Sequence, residues 1–316
     1  MIINKQKIEP GENASVHIGV SELASGTKIN IEAQVFRSKK KGPVMLVLGG
    51  VHGDEINGIE IVRRAVQSRM FNDIEKGSVI AIPVLNVFGF INFSRELPNG
   101  KDINRSFPGT SKGSLASRVA HALTKHILPL IDFGVDFHTG GGSIYNYPQI
   151  RVLKSDRKAI NLAKQFSPPY IVKTGLIAKS LRKECSRRNI PMIVYEGGES
   201  LRLDEFAIQE GLSGLKRLMS ARGYIKGDFK LQNNLIINGS TWVRATKAGL
   251  FVSYLKVGAS VMKGEEMGKI TDPYGHREVV IKSKRDGYVY GQINLPVVNV
   301  GDALFHIGFD TTFIEN

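Results

Sequence analysis

Cysteine is almost absent from this sequence: Cys185 is the only one, so no internal disulfide can form, which fits a reducing compartment. Long apolar runs are missing as well. No window approaches the roughly 18 apolar residues of a membrane span, and Met1 to Lys7 lacks the apolar stretch of a signal peptide. A cytoplasmic protein without a membrane partner is expected. Acidic residues are scarce beside basic ones, 29 against 43, giving a formal charge of +14. The cations fall in short scattered groups such as Arg37 to Lys41 and Lys282 to Arg285. They show no zinc-finger spacing, basic heptads or aromatic RNA-binding signature, so nucleic acid is not the expected partner. Most of them read as a solvated basic surface.

What is present is an ordinary globular composition, 42% apolar and 23% charged, over 316 residues. That length exceeds one domain of about 100 to 200 residues, so one large domain or two unequal ones is expected. From Val44 to about Ala221, short apolar runs alternate with amphipathic stretches, the pattern of an α/β mixed sheet flanked by helices. Val44–Leu48, Val79–Leu85, Phe133–Phe137 and Met192–Tyr195 read as strands, and their uniform apolarity predicts burial on both faces. Ile56, Ile59, Val62 and Val66 recur at helical spacing, as do Leu115, Val119, Leu123 and Ile127, and a third helix is read over about Asp204 to Ala221.

Beyond about Lys226 the pattern changes to short alternating strands broken by glycine. The division predicted is a hydrolase domain over residues 1–227 and a small all-β domain over 228–316, with the boundary near Gly227-Asp228. Gly258 to Glu265 and Arg285 to Val289 resemble the turns of a lipoyl- or biotinyl-carrier barrel-sandwich. The tip that would carry the cofactor, Thr271 to Arg277, contains no lysine, so the shape is expected without a prosthetic group.

The chemistry-bearing residues sit at the ends of the apolar runs, where α/β enzymes build their sites. His52 and Glu55 lie three apart in Gly49-Gly50-Val51-His52-Gly53-Asp54-Glu55, a turn able to aim an imidazole and a carboxylate at one point. His138 follows the run ending at Phe137. Two histidines and a glutamate match the ligand set of a catalytic Zn2+, with a fourth position open for water or substrate. His17, His121, His126, His276 and His306 lack partners at ligand spacing and are read as structural or surface residues. A general base is offered by Glu196, directly after the fourth run, in preference to Glu199 beyond two glycines. Arg95, Asn104 and Arg105 share one polar loop, where an arginine can clamp a carboxylate or stabilise an oxyanion.

Taken in order, G-G-V-H-G-D-E, N-x-x-G-F, D-I-N-R-S-F-P-G, D-F-H-T-G-G-G and Y-E-G-G-E resemble the motifs of the succinylglutamate desuccinylase/aspartoacylase family, a branch of the zinc carboxypeptidase clan. The resemblance covers roughly residues 40 to 310, including the C-terminal barrel-sandwich that ends in Val300-Gly301-Asp302-Ala303-Leu304. It implies a zinc-carboxypeptidase-like sheet and one zinc held by His52, Glu55 and His138. It further implies that Glu196 is the base, that Asn104 and Arg105 hold the substrate carboxylate, and that Arg95 stabilises the oxyanion. The family's substrate-contacting tyrosine is not assigned among Tyr145, Tyr147, Tyr274 and Tyr290. The function expected is hydrolysis of a small N-acyl amino acid, such as succinylglutamate or N-acetylaspartate. A metallocarboxypeptidase or peptide amidase is the alternative reading. A metal-binding protein without catalysis is disfavoured, because every ligand position and the base are present.

Overall fold

The computed structural model describes residues 1–22 and 24–315. Strands of five residues or more are β1 (Asn13–Glu22), β2 (Lys28–Arg37), β3 (Val44–Leu48), β4 (Ser78–Ile82), β5 (Phe133–Gly140), β6 (Ile144–Leu153), β7 (Tyr170–Thr174) and β8 (Met192–Glu199). After these come β9 (Asn234–Arg244), β10 (Gly249–Ser253), β11 (Glu266–Thr271), β12 (Glu278–Lys282), β13 (Gly287–Ile293) and β14 (Ala303–Ile314). The helices are α1 (Ile56–Gln67), α2 (Val87–Ile91), α3 (Leu115–His126), α4 (Arg157–Phe166), α5 (Leu181–Arg187) and α6 (Glu205–Ala221).

The main sheet is mixed. At its centre β4, β3, β5 and β8 run parallel in that order, and the antiparallel pair β2 and β1 extends it beyond β4. The central strands are buried on both faces, as their uniform apolar runs predict. Alternation sorts their side chains between two cores: Leu46 and Leu48 pack with Val119 and Leu123 of α3, whereas Met45 and Val47 pack with Ile61 of α1 and Leu215 of α6. The result is a three-layer α/β arrangement. No helix among the described residues is long and apolar enough to cross a membrane.

On the other side of β8 the sheet continues through β6, β7, β9, β14 and β13, and β13 pairs back onto β6. Five strands therefore close into a ring, and a barrel is made jointly by strands from either side of Gly227. Tyr170 and Val172 of β7, Leu235 and Ile237 of β9 and Tyr290 of β13 form one apolar cluster within these strands. The described residues beyond Gly227 form strands and turns only. Their second sheet orders β12, β11 and β10, and Phe251, Ile270 and Ile281 from it share a core with Val289, Phe305 and Ile307. The segment Thr271 to Arg277 is a hairpin connection between β11 and β12.

Two glycines set how closely the site-bearing pieces approach. A methyl group on Gly58, in the first turn of α1, would come within 2.3 Å of the Phe137 carbonyl oxygen on β5. One on Gly53 would meet the Gly89 carbonyl carbon at 1.9 Å. Gly58→Ala is accordingly expected to destabilise the protein by about 1–3 kcal/mol through overpacking. A urea unfolding curve measures this, and an unmoved midpoint would show that the helix can ride out from the strand at no cost.

Candidate active site

The turn that follows β3 and the end of β5 deliver three buried polar side chains to one point. His52 lies in the turn, Glu55 is the residue immediately before α1, and His138 is on β5. Glu55 Oε1 is 2.6 Å from His52 Nδ1, and Glu55 Oε2 is 2.7 Å from His138 Nδ1. The two imidazole Nδ1 atoms are 3.2 Å apart. That spacing is close to the edge of about 3.3 Å expected for a tetrahedron with metal–nitrogen bonds of about 2.0–2.1 Å. One ligand atom from each residue lies within 4.8 Å of the others, so the group can hold a metal ion. Nitrogen and carboxylate donors in such a set suit a divalent transition ion.

Each imidazole turns its other nitrogen toward a carboxylate. Asp136 Oδ2 is 2.8 Å from His138 Nε2, and Asp102 Oδ1 is 3.3 Å from His52 Nε2. These are ion-pair distances without the alignment of a hydrogen bond. Burial opposes the ionised form of Glu55, but the adjacent His52 and His138 outweigh it and hold the carboxyl well below the usual range. Burial likewise opposes protonation of His138, and Asp136 and Glu55 outweigh it, raising the imidazole well above its ordinary value. His52 is raised against burial by Glu55 and Asp102.

Around this centre lies a cavity of about 270 Å3 whose lining includes all seven of the sequence-predicted site residues: His52, Glu55, Arg95, Asn104, Arg105, His138 and Glu196. Arg95 Nη1 is 3.1 Å from Glu55 Oε1, and its Nη2 donates to Asp102 Oδ2 at 3.0 Å. The Asn104 side chain accepts from the Leu181 amide at 2.9 Å, which fastens the loop to the start of α5. Arg105 donates to the Asn104 carbonyl at 2.8 Å and is otherwise half open to solvent. Glu196 pairs in register with His138 across β8 and β5. Its carboxylate is held from both sides, by Arg151 Nη1 at 3.1 Å and by Asn146 Nδ2 at 3.0 Å. Glu199 turns elsewhere, to Asn294 and Arg202.

Several residues of this site escaped the sequence reading. Asp136 carries a signal in hindsight, because a position two before His138 on a strand shares its face. Asp102 lies within the polar loop already singled out. Asn146 and Arg151 sit on β6, a strand whose polar and aromatic mixture gives no uniform run. Arg182 lies on α5, and its Nη1 is buried without a hydrogen-bond partner among the described residues. Burial and the neighbouring Arg151 lower its pKa to about 10. Asn57 is a further omission: its amide donates to Gly197 O at 3.3 Å and accepts from the Asp204 amide at 2.9 Å, tying α1 to the turn after Glu196. Tyr145, Tyr147, Tyr274 and Tyr290 are not among the residues lining the cavity.

Fold and site together define a mixed α/β protein with a buried His/Glu/His cluster at the strand ends of a polar cavity. Residues 41–222 match the family model of the succinylglutamate desuccinylase/aspartoacylase catalytic domain, and the chain belongs to that family. It is 28% identical over 281 residues to the N-alpha-acetyl-L-2,4-diaminobutyric acid deacetylase of Halomonas elongata, a match covering 84% of this chain and 81% of that protein. Among solved structures, the succinylglutamate desuccinylase/aspartoacylase of Rhodobacter sphaeroides superposes with a TM-score of 0.83 at 26% identity, over 95% of each chain. The product-bound Ectoine utilization protein EutE of Ruegeria pomeroyi shares the fold, with a TM-score of 0.82 at 23% identity and 94% of each chain covered.

Dialysed against a divalent transition ion, the purified protein should retain about one ion per chain, and His52→Ala or His138→Ala should lose it. Metal analysis alongside far-UV circular dichroism checks this. Retention of the ion by both folded variants would remove the cluster as a metal site.

Proposed function

We propose that this chain is a zinc-dependent amidohydrolase that releases a carboxylic acid and a free amino acid from a small N-acyl amino acid. In this reading residues 1–227 form a zinc-carboxypeptidase-like hydrolase domain, and residues 228–316 form a β domain that narrows the entrance. The observation that carries it is the convergence of His52, Glu55, His138 and Glu196 on one cavity of about 270 Å3, room for a small molecule. The deacetylase activity named for the Halomonas relative supports the same reaction class. It also favours the deacylase over a carboxypeptidase.

His52, Glu55 and His138 would hold the zinc, and when bound the ion would polarise the scissile carbonyl and acidify a water molecule. The remaining work falls to the chain. Glu196 takes the proton of the attacking water on its carboxylate and returns it to the amide nitrogen, so that a C–O bond forms, the C–N bond breaks and the amine leaves. Arg151 and Asn146 fix the plane of that carboxylate by bonding one oxygen each. Arg95 stabilises the oxyanion, while Asn104 and Arg105 hold the carboxylate of the amino acid. Arg182 fits an anionic substrate too, since its buried Nη1 lacks a hydrogen-bond partner among the described residues.

A panel of N-acyl amino acids assayed for amine release in the presence of zinc tests the reaction, and no turnover of any member would end it. Glu196→Gln should retain the metal and lose about 10² to 10⁴ in turnover, because the amide keeps the shape but cannot accept a proton. A variant within twofold or so of wild type would require another base.

Arg105→Lys should raise KM about tenfold or more, the cost of one charge-assisted hydrogen bond at about 1.5 kcal/mol, because an ammonium cannot form the planar two-bond clamp. Steady-state kinetics on the acid and on its primary amide provide the check. Equal turnover of both by the wild type would take Arg105 out of substrate binding.

A further inference from the structure

We propose that Trp242 is the specificity-determining wall of the cavity, the surface against which the acyl chain of the substrate packs; this rests on the deacylase reading. Trp242 is on β9 and, among the described residues, is the one lining the cavity that comes from beyond Gly227. It is also the sole tryptophan of the chain.

The indole is held in a fixed orientation. Its ring stacks on the His306 imidazole with centroids 3.9 Å apart and planes 15° from parallel. His306 is pinned in turn by Tyr290, whose hydroxyl lies 2.7 Å from Nε2. Burial and the charge of Arg151 lower the His306 pKa to about 3, so the ring beneath the indole is neutral at ordinary pH.

The same strand row reaches the catalytic base. Trp242 pairs in register with His306 on β14, His306 with Gly291 on β13, and Gly291 with Asn146 on β6. Asn146 donates to Glu196. A wall and a base built into one hydrogen-bonded row keep their separation, and a fixed separation is what a length gauge requires. Gly291 leaves no slack, because a methyl group there would lie 3.2 Å from both Asn146 Oδ1 and His306 Cβ.

The chemistry of the wall selects what lies against it. The cations of the lining, Arg95, Arg105, Arg151 and Arg182, all come from the segment before Gly227 and offer places for anionic groups. They also repel an ammonium side chain. An indole face takes methylene groups, so the acyl chain that suits it is an uncharged alkanoyl group such as acetyl, propionyl or butyryl. One methylene more or less in such a pocket changes kcat/KM by about 10- to 200-fold.

The experiment uses N-acetyl-, N-propionyl- and N-butyryl-aspartate with the full-length zinc-loaded protein. A length preference of about tenfold or more per methylene in the wild type should shrink toward unity in Trp242→Ala, with the change in KM and the metal content preserved. His306→Ala should lose the preference in the same way, and His306→Phe, which restores a flat ring, should recover it. With turnover blocked in Glu196→Gln, each acyl compound should shift the emission of the single tryptophan. Turnover with a preference and an emission that neither Trp242→Ala nor ligand alters would overturn the assignment and leave the deacylase reading standing. Loss of discrimination confined to a side-chain series, N-acetyl-aspartate against N-acetyl-glutamate, would overturn it too. No turnover of any compound would sink both.

Discussion

Everything about this site depends on one buried carboxylate. Glu55 lies between two imidazoles at 2.6 and 2.7 Å, and an ionised group in that position is tolerated only where positive charge surrounds it. Arg95 adds a cationic contact, and the carboxylates of Asp102 and Asp136 lie behind the two histidines. Both carboxylates lie within 3.3 Å of the outer imidazole nitrogens and place negative charge behind the cluster. The backbone meets the same demand. Gly58 lets α1 approach β5 closely, and without that approach the residue preceding the helix could not reach a side chain on the strand.

Legibility in the sequence followed the strength of local pattern. The parallel centre was visible because strands buried on both faces leave unbroken apolar runs, and α1, α3 and α6 were visible from their three-four spacing. The antiparallel pair β1 and β2 was not, since its alternating faces fall among polar residues. Nor was β6, where Tyr145, Asn146, Tyr147 and Arg151 interrupt any run, although that strand supplies both partners of Glu196. Side chains at strand ends announced themselves through glycine-rich turns. Arg182 and Trp242 gave no local signal, because their relation to the cavity is created by pairings between segments distant in sequence.

The division of labour along the chain is correspondingly uneven. Residues from the first two thirds provide the charges of the cavity, and the last third provides an aromatic face. Charged groups that must meet a reacting bond need fixed positions, and they sit on strand ends and on a loop tied down by the Asn104 and Leu181 contact. An apolar wall has only to fill space at the right distance, so it can come from a segment remote in sequence.

The closed five-strand ring has a further consequence for how this protein can be taken apart. A sheet that returns on itself exposes no edges, and here two of its strands precede Gly227 while three follow it. Removing the segment beyond the linker would take β13 from β6 and β9 from β7, leaving β6 paired with β8 and β7 but baring backbone donors and acceptors on one side of each strand. The C-terminal segment is thus not a detachable module in the mechanical sense. Exchange of this segment between relatives must preserve the register of Ile236 opposite Ile171 and of Gly291 opposite Asn146, whatever residues fill its loops.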